Sequence, residues 1–172
     1  MFKLLKPDLY VEKVERIDLK VFKEKGYDTI ILDLDNTLVS WKSKKVSDSV
    51  IKWLDTARSL KFKMCIVSNC LLGGRVKHLS EKLSIPYIPK AVKPRTKAFK
   101  RALDLLGSSP ERTLLVGDQM FTDILGGNRM GLFTIMVNPV DKREFGATII
   151  QRMAEKIVLN NLRKKGELNS DI

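Results

Sequence analysis

Histidine is almost missing from this chain. His78 stands alone, which argues against a histidine-bearing zinc site or a histidine-based triad and leaves it as a solvated helix residue. Cysteine is scarce as well. Cys65 and Cys70 make no disulfide framework, so free thiols in a cytoplasmic protein are the simpler expectation. Long apolar runs are absent. The longest, Met64–Val67, is far short of a membrane span. The opening MFKLLKPDLY has charges where a signal peptide needs an apolar core, so no secretion is expected. Repeats, low-complexity tracts and a composition break are also missing, and 172 residues suit one domain with a full core over 1–172.

What the chain has in excess is positive charge, +12 in all. Such a balance attracts something anionic: nucleic acid, anionic lipid or a phosphorylated ligand. Two segments stand out. Lys42–Lys63 carries seven basic residues against Asp48 and Asp55, and Lys142–Lys165 carries seven against Glu144 and Glu155. The alternative is a solvated surface that happens to be basic.

Read in order, 1–25 mixes apolar and charged residues at roughly helical spacing around Pro7, an amphipathic lead-in that packs on the domain or lies on a surface. Gly26 ends it, and Thr29–Leu34 is a strand. Val39–Val46 reads as a turn or hairpin, where Trp41 either meets substrate or a membrane, or pins the loop. Ser47 or Asp48 caps a helix to about Leu60. Lys63–Ser68 is the second strand, and a helix follows from about Arg75 to Leu83. IPYIPKAVKP is extended, because its prolines prevent helix. A helix from Thr96 stops at Gly107, a strand runs Thr113–Val116, and a helix reaches Met130. Phe133–Val137 is a further strand. The remaining 142–172 form a C-terminal helix, about Glu144–Lys164, and a frayed tail. Strands alternating with short helices indicate an α/β fold with a mostly parallel central sheet flanked by helices.

The chemistry gathers at the strand ends, where such sheets bind ligands. TIILDLDNTLVS, residues Thr29–Ser40, is a buried strand running into Asp33 and Asp35, with Thr37 two further on. Two acids this close repel unless a Mg²⁺ ion lies between them or one stays protonated as a general acid. They also suit a plain strand end and turn. Ser68-Asn69 ends the second strand, Lys93 follows the third, and Asp118 and Asp123 follow the fourth. Together these offer three carboxylates for Mg²⁺, a hydroxyl and an amide for phosphate oxygens, and an ammonium.

DLDNTLV at Asp33–Val39, Ser68, Lys93-Pro94 and GDQMFTD at Gly117–Asp123 resemble the four motifs of the haloacid dehalogenase-like (HAD) phosphohydrolases, in order. The resemblance implies a Rossmann-like core. It makes Asp33 the nucleophile that forms an aspartyl-phosphate, and Asp35 the acid, then base. It implies Mg²⁺ held by Asp33, the backbone carbonyl of Asp35, and Asp118, with Asp123 a further ligand or its support. Ser68, with Asn69, and Lys93 would bind the phosphoryl group. Only 30 residues separate Thr37 from Ser68 and 24 separate Ser68 from Lys93, both used up by helix–strand units, so no large cap domain fits. The opening KLLKPDLYVEKVERID, GGNRMG and the closing LRKKG are similar to the capless subclass IIIA, YqeG-type group, related to mitochondrial phosphatidylglycerophosphatases. Cys70 departs from the polar residue expected there; beside the site it would be oxidation-sensitive.

The resemblance therefore implies a Mg²⁺-dependent phosphomonoesterase with an open site, for a large or membrane-bound substrate such as phosphatidylglycerophosphate. The protein would be cytoplasmic, or peripheral at the inner face of the membrane. The alternatives are a phosphatase of a phosphoprotein, nucleotide or sugar phosphate, and a basic RNA- or ribosome-binding protein.

Overall fold

A computed structural model of the chain describes residues 3–41, 43–70, 73–141 and 147–169. Six parallel strands form one sheet: β1 (Leu9–Val11), β2 (Thr29–Leu32), β3 (Lys63–Val67), β4 (Tyr87–Ile88), β5 (Thr113–Gly117) and β6 (Phe133–Val137). Their order is β1-β6-β5-β2-β3-β4, every pair parallel. From β2 the chain winds out through β3 to β4, then returns to the other side of β2 with β5 and β6. The direction of winding thus reverses between β2 and β5, and that switch point opens a crevice at the strands' carboxyl ends.

The strands are apolar because both faces are covered. Ile30, Leu32, Ile66, Leu114 and Val116 point to one side. There they meet α1 (Leu19–Glu24), α2 (Asp48–Ser59) and α3 (Gly73–Leu83) through Phe22, Leu54 and Leu79. Ile31, Cys65, Val67 and Leu115 point to the other, against Phe99, Ala102 and Leu103 of α4 (Lys97–Leu106). Burial pushes the Cys65 thiol up to about 12, so it is an inert core residue. Helix α5 (Leu125–Met130) precedes β6, and α6 (Ala147–Lys164) follows it. Val158 and Leu162 of α6 pack on Met120, Ile124 and Met136 in a third, smaller cluster.

Most expected elements lie within a residue or two of their expected bounds. Three differ. The lead-in is no continuous helix: Leu9–Val11 is the edge strand β1, paired with β6, and only the six residues of α1 are α-helical. Leu9, Val14, Ile17 and Leu19 are buried, so this segment packs on the domain. The helix expected after Asp118 begins as a π-helical turn, Met120–Ile124. The tail is not frayed as far as Asn169: its carbonyl accepts the Tyr10 N–H at 2.8 Å, and its side chain donates to the Asp8 carbonyl at 3.2 Å. Residues 142–146, where the tail helix was expected to begin, and 170–172 lie outside the described residues.

Candidate active site

Strand register assembles the site. Leu32 lies opposite Ile66 on one side and Val116 on the other, and the Asp33 N–H donates to the Val116 carbonyl at 2.9 Å. The ends of β2, β3 and β5 are thereby level, and the loops leaving them converge. Asp35 and Asn36 then turn the chain away. Asn36 takes a left-handed backbone, φ 62°, a conformation asparagine tolerates better than most residues. Its N–H donates to the Val39 carbonyl at 2.7 Å, and its side-chain oxygen accepts the Trp41 N–H at 3.2 Å. Trp41 is thus held by its main chain while the residue stays 38% exposed.

Asp33, Asp118 and Asp123 each offer a carboxylate oxygen, and these oxygens lie within 4.8 Å of one another. Asp123 reaches the group through the π-helical turn. Its carboxylate accepts the Gln119 N–H at 3.1 Å and packs directly over Gly117. A Cβ on Gly117 would sit 2.5 Å from Asp123 Oδ2, so only glycine leaves room. Lys93 Nζ donates to Asp33 Oδ1 at 2.5 Å and to the Val67 carbonyl at 2.9 Å, and lies 2.7 Å from Asp123 Oδ1. Thr37 Oγ1 donates to Asp33 Oδ2 at 3.2 Å and stands 3.4 Å from Asp118 Oδ1.

Asp35 stands apart from that cluster. Arg75, at the start of α3, donates to Asp35 Oδ1 at 2.6 Å and to the carbonyls of Ser43 at 2.8 Å and Ser40 at 3.4 Å. One guanidinium thus ties the second acid to the loop beyond it. Ser68 is buried at the end of β3, its Oγ accepting the Cys70 N–H at 3.0 Å. Asn69 is spent on Lys93: its Oδ1 accepts the Lys93 N–H at 2.8 Å and its Nδ2 donates to the Lys93 carbonyl at 3.3 Å. Its contribution is to place the lysine.

Two residues of the basic tail prove to be interior. Arg152 of α6 donates to the Asp118 carbonyl oxygen at 2.6 Å, to Asp118 Oδ2, and to Glu155 Oε2 at 2.9 Å. Glu155 Oε1 accepts the Met120 N–H at 2.8 Å. Arg152 and Glu155, like Arg75, were not legible as site residues. All three sit on amphipathic helices, where a charged residue reads as solvent-facing until the packing is known.

Electrostatics favour a divalent cation here. Among the described residues, Asp33, Asp118, Asp123 and Glu155 set four carboxylates against two cations, Lys93 and Arg152, a formal excess of two negative charges. Burial holds Asp118 well above the usual carboxylate range, with Arg152 opposing and Asp33 and Asp123 adding to it. Burial likewise pushes Asp123 up to about 6, against the pull of Lys93. Asp35 is raised by burial, with Arg75 drawing it back and Asp33 adding. Lys93 is raised, because Asp123 and Asp33 together outweigh its burial. Asp123 Oδ1 is buried with the Lys93 ammonium 2.7 Å away. A hard cation fits this all-oxygen set of clustered carboxylates.

Comparison with known proteins agrees with this geometry. The HAD-hydrolase-like family model matches residues 91–163. The chain is 40% identical to "Probable phosphatase YqeG" of Bacillus subtilis over 166 residues, which are 96% of each chain. It is 25% identical to "Phosphatidylglycerophosphate phosphatase 1, chloroplastic/mitochondrial" of Arabidopsis thaliana, covering 93% of this chain but only 49% of that one. Among solved structures, a HAD phosphatase from Thermococcus onnurineus superposes with a TM-score of 0.51 at 25% identity, over 59% of this chain and 51% of that chain. No helix among the described residues is long and apolar enough to cross a membrane, and no cap domain lies over the strand ends among them. The chain therefore belongs to the haloacid dehalogenase-like (HAD) hydrolase family, in the group of the Bacillus subtilis protein, and is a phosphatase.

Proposed function

We propose that the protein is a Mg²⁺-dependent phosphomonoesterase that works through an aspartyl-phosphate on Asp33. The observation that carries this reading is the buried cluster of Asp33, Asp118 and Asp123 with Lys93 set among them. Asp33, Asp118, Asp123 and the backbone carbonyl of Asp35 would hold Mg²⁺, which neutralises charge on the phosphoryl oxygens when bound. Lys93 contributes a second positive charge to the same oxygens, and Ser68 a hydroxyl.

The chain's own groups account for the proton and bond changes. A carboxylate oxygen of Asp33 attacks phosphorus, and the bond from phosphorus to the ester oxygen breaks. Protonated Asp35, whose pKa burial raises, gives its proton to that leaving oxygen. The resulting Asp35 carboxylate then takes a proton from water, whose oxygen attacks phosphorus. The bond to Asp33 breaks, phosphate leaves, and both aspartates return to their starting states. Arg75 holds Asp35 in place for both transfers.

The substrate we favour is a phosphomonoester on an anionic lipid, such as phosphatidylglycerophosphate. Three observations support it: the phosphatidylglycerophosphate phosphatase among the relatives, the net charge of +12, and the lack of a cap among the described residues. Each basic residue near an anionic surface contributes about 1 kcal/mol of attraction, which would hold a protein peripherally at the inner face of the membrane.

Phosphate release with Mg²⁺ is the test, from phosphatidylglycerophosphate in vesicles beside soluble nucleotide, sugar-phosphate and phosphopeptide esters. Wild type is compared with Asp33→Asn. Lipid turnover far above the soluble panel, lost in the variant, is the expected result. Turnover of soluble esters alone removes the lipid and keeps the phosphatase. Turnover of none removes both and turns attention to RNA or ribosome binding, which would survive Asp33→Asn.

A further inference from the structure

We propose that α6 is part of the catalytic machinery: Arg152 and Glu155 are positioning residues that fix Asp118 so that it offers one oxygen to the cation. This rests on the metal-dependent reading above. The clamp is two-sided. Arg152 grips Asp118 at two points, the carbonyl oxygen and carboxylate Oδ2, so both the main chain and the side-chain rotation are set by one planar group. Asp118 Oδ1 is left on the side of Thr37 and the acid cluster. Glu155 braces the arginine at 2.9 Å and, with its other oxygen, the N–H of Met120, the residue that opens the π-helical turn carrying Asp123. One ion pair on α6 therefore supports two of the three clustered acids, one directly and one through the turn.

The pair adds direction rather than charge. Arg152 and Glu155 cancel each other formally, so removing both leaves the balance of the metal site unchanged. Both are buried, and burying such a pair is a poor route to stability compared with apolar residues of similar volume. The helix has an apolar anchor of its own in Val158 and Leu162, against Met120, Ile124 and Met136. A clamp that served only to seat α6 would duplicate that anchor. Partners that orient metal-binding carboxylates typically govern affinity by about 10–100-fold.

The test is calorimetric titration of Mg²⁺ into the full chain, with thermal melting of each variant and Mg²⁺-dependent phosphate release by wild type. The charge-neutral double variant Arg152→Gln with Glu155→Gln should bind Mg²⁺ about 10–100-fold more weakly. Arg152→Lys keeps the charge without the fork and should be weakened by about tenfold or more. Leu162→Ala loosens the helix without touching Asp118; it should lower the melting temperature and leave Mg²⁺ affinity within about twofold. A folded double variant with affinity near wild type overturns the proposal, as does full restoration by Arg152→Lys or an equal loss in Leu162→Ala. If the double variant does not fold, Arg152→Lys decides. A wild-type chain that binds no Mg²⁺ and releases phosphate without it overturns the metal reading itself, a different failure from a wild type that binds and variants that bind equally well.

Discussion

Asp35 is two residues from Asp33, yet its carboxylate faces Arg75 and not the acid cluster. Asp33 is paired with Lys93 and Asp35 with Arg75, and these different partners let neighbouring acids take different roles. Asp35→Asn should slow turnover by about 10²-fold or more, the scale of general acid–base catalysis, while Mg²⁺ affinity stays within about threefold because a backbone carbonyl is the proposed ligand. Turnover and calorimetric titration check this, and an equal loss of Mg²⁺ affinity would remove the assignment. Arg75 belongs to the same arrangement. Its three contacts, to Asp35, Ser40 and Ser43, make it the link between the second acid and the loop beyond it. Arg75→Ala should lower kcat by about tenfold or more, and Arg75→Lys should recover only part of it, since an ammonium cannot span the three acceptors. Steady-state kinetics at saturating Mg²⁺ read both.

Among the elements, α5 decides how closely the segment after Asp123 lies against the sheet. Gly127 of α5 faces β5 and β6, and a Cβ there would sit 2.5 Å from Leu115 and 2.6 Å from Thr134. Both neighbours are buried strand residues. Gly127→Ala should therefore destabilise by about 1–3 kcal/mol, the cost of overpacking, despite alanine's better helix propensity. At about 2–4 °C per kcal/mol for a chain of this size, thermal melting resolves it. A neutral or raised melting temperature would mean that α5 can lift away from the sheet. The π-helical turn before α5 has a comparable role, since the extra residue in that turn brings Asp123 back over Gly117.

At the scale of the molecule, the charge of +12 is spread along the chain while the site itself is net acidic. Surface charge acts over about 10 Å at 0.1 M salt and much less at 1 M. If the natural substrate lies in an anionic bilayer, turnover of vesicle-borne substrate should fall steeply as salt rises, while turnover of a soluble ester changes little. Parallel salt curves for the two would assign the basic surface to another partner. Vesicle co-sedimentation of Asp33→Asn over the same salt range separates binding from catalysis.

The sequence by itself determined the alternation of strands and helices and pointed to the candidate site residues, because both signals are local. A run such as Thr29–Leu32 is apolar wherever it sits, and the residues after such runs occupy strand ends whatever the strand order. The lead-in misled because Leu9, Val11, Val14 and Ile17 suit a helical spacing, and a short edge strand paired only with β6 leaves a weak local signature. The tertiary structure alone decided how the ends are used. The strand order set Asp33 beside Gly117, and the π-helical turn brought Asp123 to Lys93. Packing turned Arg75 and Arg152 inward from helices whose other basic residues face water. Pattern along a chain records which residues are apolar. Which charges can be buried depends on what partner the fold brings to them, and here those partners lie 40 residues away for Arg75 and 34 for Arg152.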